Sequence, residues 1–109
     1  MLPIATLALT VGCAATFPPR TQLAAAQAEL EHAEVEGAAD MPDARLHLQL
    51  ASEDLERARR LAPDDPTHAA SLADVACAEA RLAGSLARRG DARARARAVE
   101  AELRKATEP

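Results

Sequence analysis

Residues 44–62, Ala44-Arg45-Leu46-His47-Leu48-Gln49-Leu50-Ala51-Ser52-Glu53-Asp54-Leu55-Glu56-Arg57-Ala58-Arg59-Arg60-Leu61-Ala62, decide the fold. Ala44, Leu48, Ala51, Leu55, Ala58 and Ala62 recur at spacings of 4-3-4-3-4, which places them along one side of an α-helix. Leu46, Leu50 and Leu61 widen that face, so this segment reads as the most buried helix. Pro42 suits its first turn, where an amide hydrogen has no intrahelical partner, and Pro63-Asp64-Asp65-Pro66 stops it. Asp43 near the start and Arg57, Arg59 and Arg60 near the end complement the helix dipole. A helix is expected over 42–62.

Working outward, Thr21 can cap a first helix over 22–36, with Leu23, Gln27, Leu30 and Glu34 at heptad-like spacing. Its apolar stripe is mostly Ala24, Ala26, Leu30 and Ala33, and Gly37 to Met41 forms the following turn. On the other side, Thr67 can cap a third helix over 67–107. Leu72, Val75, Glu79, Leu82 and Leu86 make one row on it, and Ala70, Ala73, Cys77, Ala80, Gly84 and Ala87 make an adjacent row of small residues. Small residues let a neighbouring helix approach closely. Gly90-Asp91 offers a break, as Gly favours the position after a helix and Asp the cap of the next. If the helix continues instead, it is a rod of ~60 Å at ~1.5 Å per residue, its last third projecting beyond the bundle.

Composition agrees with this reading. The chain has 109 residues and 53 hydrophobic positions, of which 29 are alanine; Phe17 is the single aromatic residue. From Ala14 onward only 16 residues are large and apolar, too little bulk to fill a β-sandwich or a doubly wound sheet but enough for close-packed helices. The expected fold class is all-α: an antiparallel three-helix bundle or helical hairpin with a long C-terminal helix, after a lipoprotein signal peptide.

The N-terminus suggests that leader. Residues 1–19 carry no charged side chain, and the apolar run Leu2 to Val11 ends in Gly12-Cys13-Ala14. A thiol directly after a small residue is the acceptor arrangement of a bacterial lipoprotein: the sulfur takes the diacylglycerol, cleavage frees the Cys amine, and the amine is acylated. The expected division is a signal peptide over 1–12, a lipidated Cys13 and Pro-rich tether over 13–20, and a helical domain over 21–109. Two departures from the lipoprotein pattern stand out: Thr10 occupies a position where Leu is usual, and no basic residue follows Met1, the latter pointing to a start codon further upstream. Pro3, Gly12 and Pro18-Pro19 leave fewer than the ~20 residues that a membrane-spanning helix needs. Ala14, in place of an Asp after the anchor, implies the periplasmic face of the outer membrane.

No catalytic, cofactor-binding or metal site is expected. His32, His47 and His68 are isolated, and no serine stands in a Gly-x-Ser-x-Gly turn. Glycine is scarce, with four residues, which disfavours a phosphate-cradling loop. Charge is uneven: Glu29 to Glu56 holds nine acids against Arg45 alone, and Arg57 to Pro109 holds eight acids against eleven bases. Arg93, Arg95 and Arg97 step by two, ~200° apart on a helix, so they splay rather than form a nucleic-acid stripe, and no aromatics interleave for base stacking. Cys77 reads as a small packed residue of its row; intermolecular pairing is the alternative for a lone thiol in an oxidising compartment.

Leu46-His47-Leu48-Gln49-Leu50-Ala51, followed by Glu53, Leu55, Ala58-Arg59 and Leu61, resembles the second helix of the bacterial envelope proteins catalogued as domain of unknown function 4398. The resemblance takes in Gly12-Cys13-Ala14, Pro18-Pro19, Gln22-Leu23-Ala24 and the alanine rhythm from Leu72 to Arg88. Glu79 stands where that family usually has Asp, and Pro63 to Pro66 replace its Gly-Asp-type turn. The family implies a helical, usually lipid-anchored periplasmic domain with no assigned activity. Ala51, Leu55, Ala58 and Pro63 also match the second helix of a tetratricopeptide repeat, but Gly37 and Pro42 interrupt the first. The expected role is therefore non-catalytic, structural or adaptor, with a membrane partner through lipid on Cys13, a protein partner in the envelope, self-association as a further option, and no nucleic acid. A periplasmic carrier of a small ligand or cell-wall fragment, or a tetratricopeptide-like interaction module, is the alternative.

Overall fold

The computed structural model describes residues 19–109, and the protein is an all-α bundle of three helices with a long last helix. Helix α1 spans Arg20–Val35, α2 spans Pro42–Leu61 and α3 spans Pro66–Thr107, with a short 3-10 turn over Ala38–Asp40. The signal peptide over 1–12, Cys13 and the tether as far as Pro18 lie outside the described residues.

Local chemistry sets the boundaries. Gly37 has φ +89°, a left-handed conformation that side chains disfavour, and it turns the chain out of α1. Pro42 occupies the first turn of α2, with Met41 extended before it. Two expected caps fall elsewhere. Thr21 lies inside α1, which begins after Pro19, and Asp65 rather than Thr67 caps α3, its carboxylate accepting from the His68 amide at 3.1 Å. Asp65 precedes Pro66, whose ring pre-sets the first helical turn, so the helix starts one residue early.

The helices are antiparallel in chain order, and α1 and α3 consequently run parallel. Glu29 pairs with Arg81 and Glu36 with Arg88, both at a separation of 52 residues, as two parallel helices require. The most extensive packing joins α2 and α3. Among the described residues, twelve of the sixteen buried apolar side chains are alanines, joined by Leu30, Leu48, Leu55 and Cys77. Leu55 is the largest side chain buried completely.

This core differs from the expected one in a specific way. The small-residue row of α3 packs inward through Ala73, Cys77, Ala80, Gly84 and Ala87, and Ala69, Ala76 and Ala83 extend it. The bulkier row stays at the rim: Val75 and Leu82 are exposed, and Leu72 and Leu86 are half-buried. On α2, Leu46 and Leu50 are likewise exposed, so the second leucine row does not enter the core. The alanine row of α3 packs against a core that Leu30, Leu48 and Leu55 already fill, and helices this close leave no room for a second row of leucines.

The break at Gly90-Asp91 is absent, and α3 is one helix of 42 residues. Gly90 serves a tertiary purpose instead. A β-carbon there would collide with the side chain of Met41, which lies over the helix where α2 begins. Beyond Gly90 every residue is exposed, so 91–107 form a free arm of ~25 Å at ~1.5 Å per residue.

Candidate functional site

Three surfaces carry chemistry, one on each side of α3 and one along its arm. The first is the seam between α2 and α3. His47 lies 2.7 Å from Glu79, its Nδ1 donating to Oε2, because a carboxylate only accepts. Both side chains are a little under one-third exposed. Leu46 and Leu50 lie one position before and three after His47, and Val75 and Leu82 four before and three after Glu79. Leu46 and Leu50, four apart, make one row on α2, and Val75 and Leu82, seven apart, make another on α3; all four are 38–57% exposed and flank the His47–Glu79 contact. The ion pairs to α1 run along the other flank of α3, so its apolar row faces away from α1.

The second surface is the α1–α3 seam. His32 is 3.1 Å from Glu36, which also receives Arg88, and Arg81 reaches Glu29 at 3.3 Å. Glu29, His32, Glu36, Arg81, Ser85 and Arg88 line a shallow polar groove here, floored by Ala33, Ala80 and Gly84. Alternating charge in an open groove suits ion pairing within the bundle. The third surface is the arm. Arg93, Arg95 and Arg97 are exposed, and Arg95 meets Asp91 at 2.8 Å on the same helix.

The structure does not bring the three histidines together. His32 sits on α1, His47 on α2 and His68 at the start of α3, 3.8 Å from Asp65. Among the described residues, no group of three His, Cys, Asp or Glu side chains could hold a metal ion. Cys77 is buried with a free thiol in the alanine row. No described helix is long and apolar enough to cross a membrane.

The exposed seam of Leu46, Leu50, Val75 and Leu82 was not foreseen as a surface. Periodicity assigns large apolar residues to the core, and the competing signal was the parallel row of alanines on α3. Cys13, the expected lipidation site, lies outside the described residues. No family model, curated protein or solved structure matches the chain.

Proposed function

We propose that this is a non-catalytic helical protein of the bacterial cell envelope, anchored by lipid on Cys13 to the periplasmic face of the outer membrane, and that it works as an adaptor. The observation that carries the adaptor role is the exposed seam of Leu46, Leu50, Val75 and Leu82 around His47 and Glu79. Such a seam, rimmed by Gln49, Glu53 and Arg89, fits the apolar face of a helix on an envelope partner. The packed alanine core supports an adaptor over a carrier, since the grooves lie at the surface along helix flanks.

Membership of the family catalogued as domain of unknown function 4398 belongs to the same proposal. It rests on the sequence of the histidine-containing helix and on the alanine rhythm from Leu72 to Arg88. The anchor rests on the Gly12-Cys13-Ala14 sequence. Acylation of that cysteine supplies the multiple chains that stable attachment needs.

Fractionation of cells tests the anchor. Wild type is expected with membranes and Cys13→Ser in the soluble periplasm; membrane retention of Cys13→Ser ends the lipoprotein reading. Crosslinking in solubilised envelopes tests the adaptor surface. Leu46→Asp/Leu82→Asp should lose its crosslinked partner while keeping its helical circular dichroism, and an unchanged crosslinking pattern counts against this face.

A further inference from the structure

Along the α1–α3 seam the two helices are joined by rungs seven residues apart, Glu29 to Arg81 and Glu36 to Arg88. The next rung on α3 is Arg95, where α1 has already ended at Val35. The same flank of the arm carries Ala92, Ala96, Val99, Leu103 and Ala106 at spacings of 4-3-4-3. Val99 and Leu103 are 59% and 61% exposed, and with Ala98, Glu102 and Ala106 they line a shallow apolar groove. The helix therefore continues a seam for which the monomer offers no second helix among the described residues.

We propose that a second copy of this chain supplies it, the two arms pairing antiparallel as a short coiled coil. The inference goes beyond the adaptor reading and does not depend on lipid at Cys13. Charge decides the occupant and the register. Setting Ala96 level with Val99 of the second copy also sets Ala92 level with Leu103 of the second copy, and the two-fold axis doubles these into four layers. The residues flanking the seam are then Arg93 and Glu100 on one side and Arg95 and Glu102 on the other. In this register Arg93 faces Glu100 of the second copy and Arg95 faces Glu102 of the second copy, giving four cross-copy pairs of opposite charge. Sliding by one heptad sets Glu100 against Glu100 and Glu102 against Glu102, so repulsion selects against the shifted pairing.

Geometry selects the direction. In a parallel pair, residues 66–88 of the second copy would continue along the flank already occupied by α1, because α3 has no break. In the antiparallel pair the last turn of the second copy reaches the level of Arg88, where α1 stops, and continues the α1 row. The two bundles then lie at opposite ends of a rod of about 95 Å at ~1.5 Å per residue. The seam is short, well below the roughly 1,200 Å² of standard stable interfaces, so the dimer is weak and concentration-dependent.

The test uses the full chain with Cys13→Ser and Cys77→Ala. Sedimentation equilibrium up to about 1 mM should show a monomer–dimer equilibrium, and Val99→Asp/Leu103→Asp should weaken it by at least about tenfold without changing helical content. Arg93→Glu/Arg95→Glu and Glu100→Arg/Glu102→Arg chains should each be monomeric alone and dimerise when mixed. Spin labels on Thr107→Cys should lie about 30 Å apart, from ~1.5 Å per residue on either side of the two-fold. A monomer at every concentration overturns the proposal. So does a dimer that survives Val99→Asp/Leu103→Asp, or a pair of labels in contact, which would mean parallel arms. Each of these results is independent of where Cys13→Ser fractionates.

Discussion

Residues 66–90 and 91–107 belong to one unbroken helix, yet they are stabilised in different ways. Alanine content does not separate them, at eight of 25 residues in the first part and six of 17 in the second. In the first part alanines at 69, 73, 76, 80, 83 and 87 are buried against α1 and α2. In the arm every alanine faces solvent. Propensity makes both parts helical, but only packing makes one of them part of the core. A helical arm of this length is marginal by itself, so its order derives from continuity with the bundle and from pairs such as Arg95 with Asp91.

The largest expected effect lies at the centre of the bundle. Leu55→Asp buries a charge without a partner, costing several kcal/mol against a domain stability of roughly 5–15 kcal/mol. Loss of helical circular dichroism at 37 °C is expected, whereas Glu56→Ala, one residue away and exposed, should leave the spectrum unchanged. Equal tolerance of the two would mean that α2 is not central.

A matched pair of substitutions sharpens the contrast between the two parts of α3. Ala80 is fully buried where α3 packs on its neighbours, so Ala80→Leu overpacks the contact and should cost about 1–3 kcal/mol in chemical denaturation. Ala96→Leu places the same side chain on the exposed arm and should change monomer stability by less than ~0.5 kcal/mol. If both substitutions were neutral, the helices would not be in close contact at Ala80.

These two alanines also show how far the sequence could be read. The three helices, their order and the turns at Gly37 and Pro63-Asp64-Asp65-Pro66 were legible, because proline and glycine act through the local backbone. The close approach of the alanine row of α3 was legible too, but the exclusion of the leucine row beside it was not. Leu72, Val75, Leu82 and Leu86 form as good a stripe as the alanines beside them, and hydrophobicity alone favours the leucines. What reverses the order is the distance of closest approach between helices, which depends on residues far apart in the chain. Gly90 left two readings open for the same reason, since locally it resembles a stop and its actual contact is Met41, 49 residues earlier. Of the candidate sites, Cys13 was legible as a motif, and the Leu46–Leu82 seam emerged only once α2 and α3 were placed side by side.

Removing the arm should have a smaller effect than either bundle substitution. Residues 91–109 are all exposed, so a chain ending at Gly90 retains the Met41 contact and the entire core. Its melting temperature should fall by only a few degrees, given that 1 kcal/mol corresponds to about 4–8 °C in a domain of this size. Failure of the shortened chain to fold would show that Val99 and Leu103 return to the bundle.

The smallest effects distinguish the last rung within the monomer from the first rung beyond it. Arg88 pairs with Glu36, whose side chain is largely shielded, whereas Arg95 pairs with Asp91 on its own helix. Arg88→Ala removes a contact between helices and should lower stability by up to about 1 kcal/mol, in the usual range of exposed ion pairs. Arg95→Ala removes only an i,i+4 contact, for which about 0.3–0.5 kcal/mol is ordinary. The two substitutions should separate further when read by association instead of unfolding. Arg95→Ala deletes a cross-copy pair twice over and should weaken the dimer, while Arg88→Ala lies outside the proposed flanking pairs and should weaken it less. Thermal melts at low concentration and sedimentation at high concentration measure the two quantities separately. If Arg88→Ala weakened association more than Arg95→Ala, the surface shared between copies would be the bundle and not the arm.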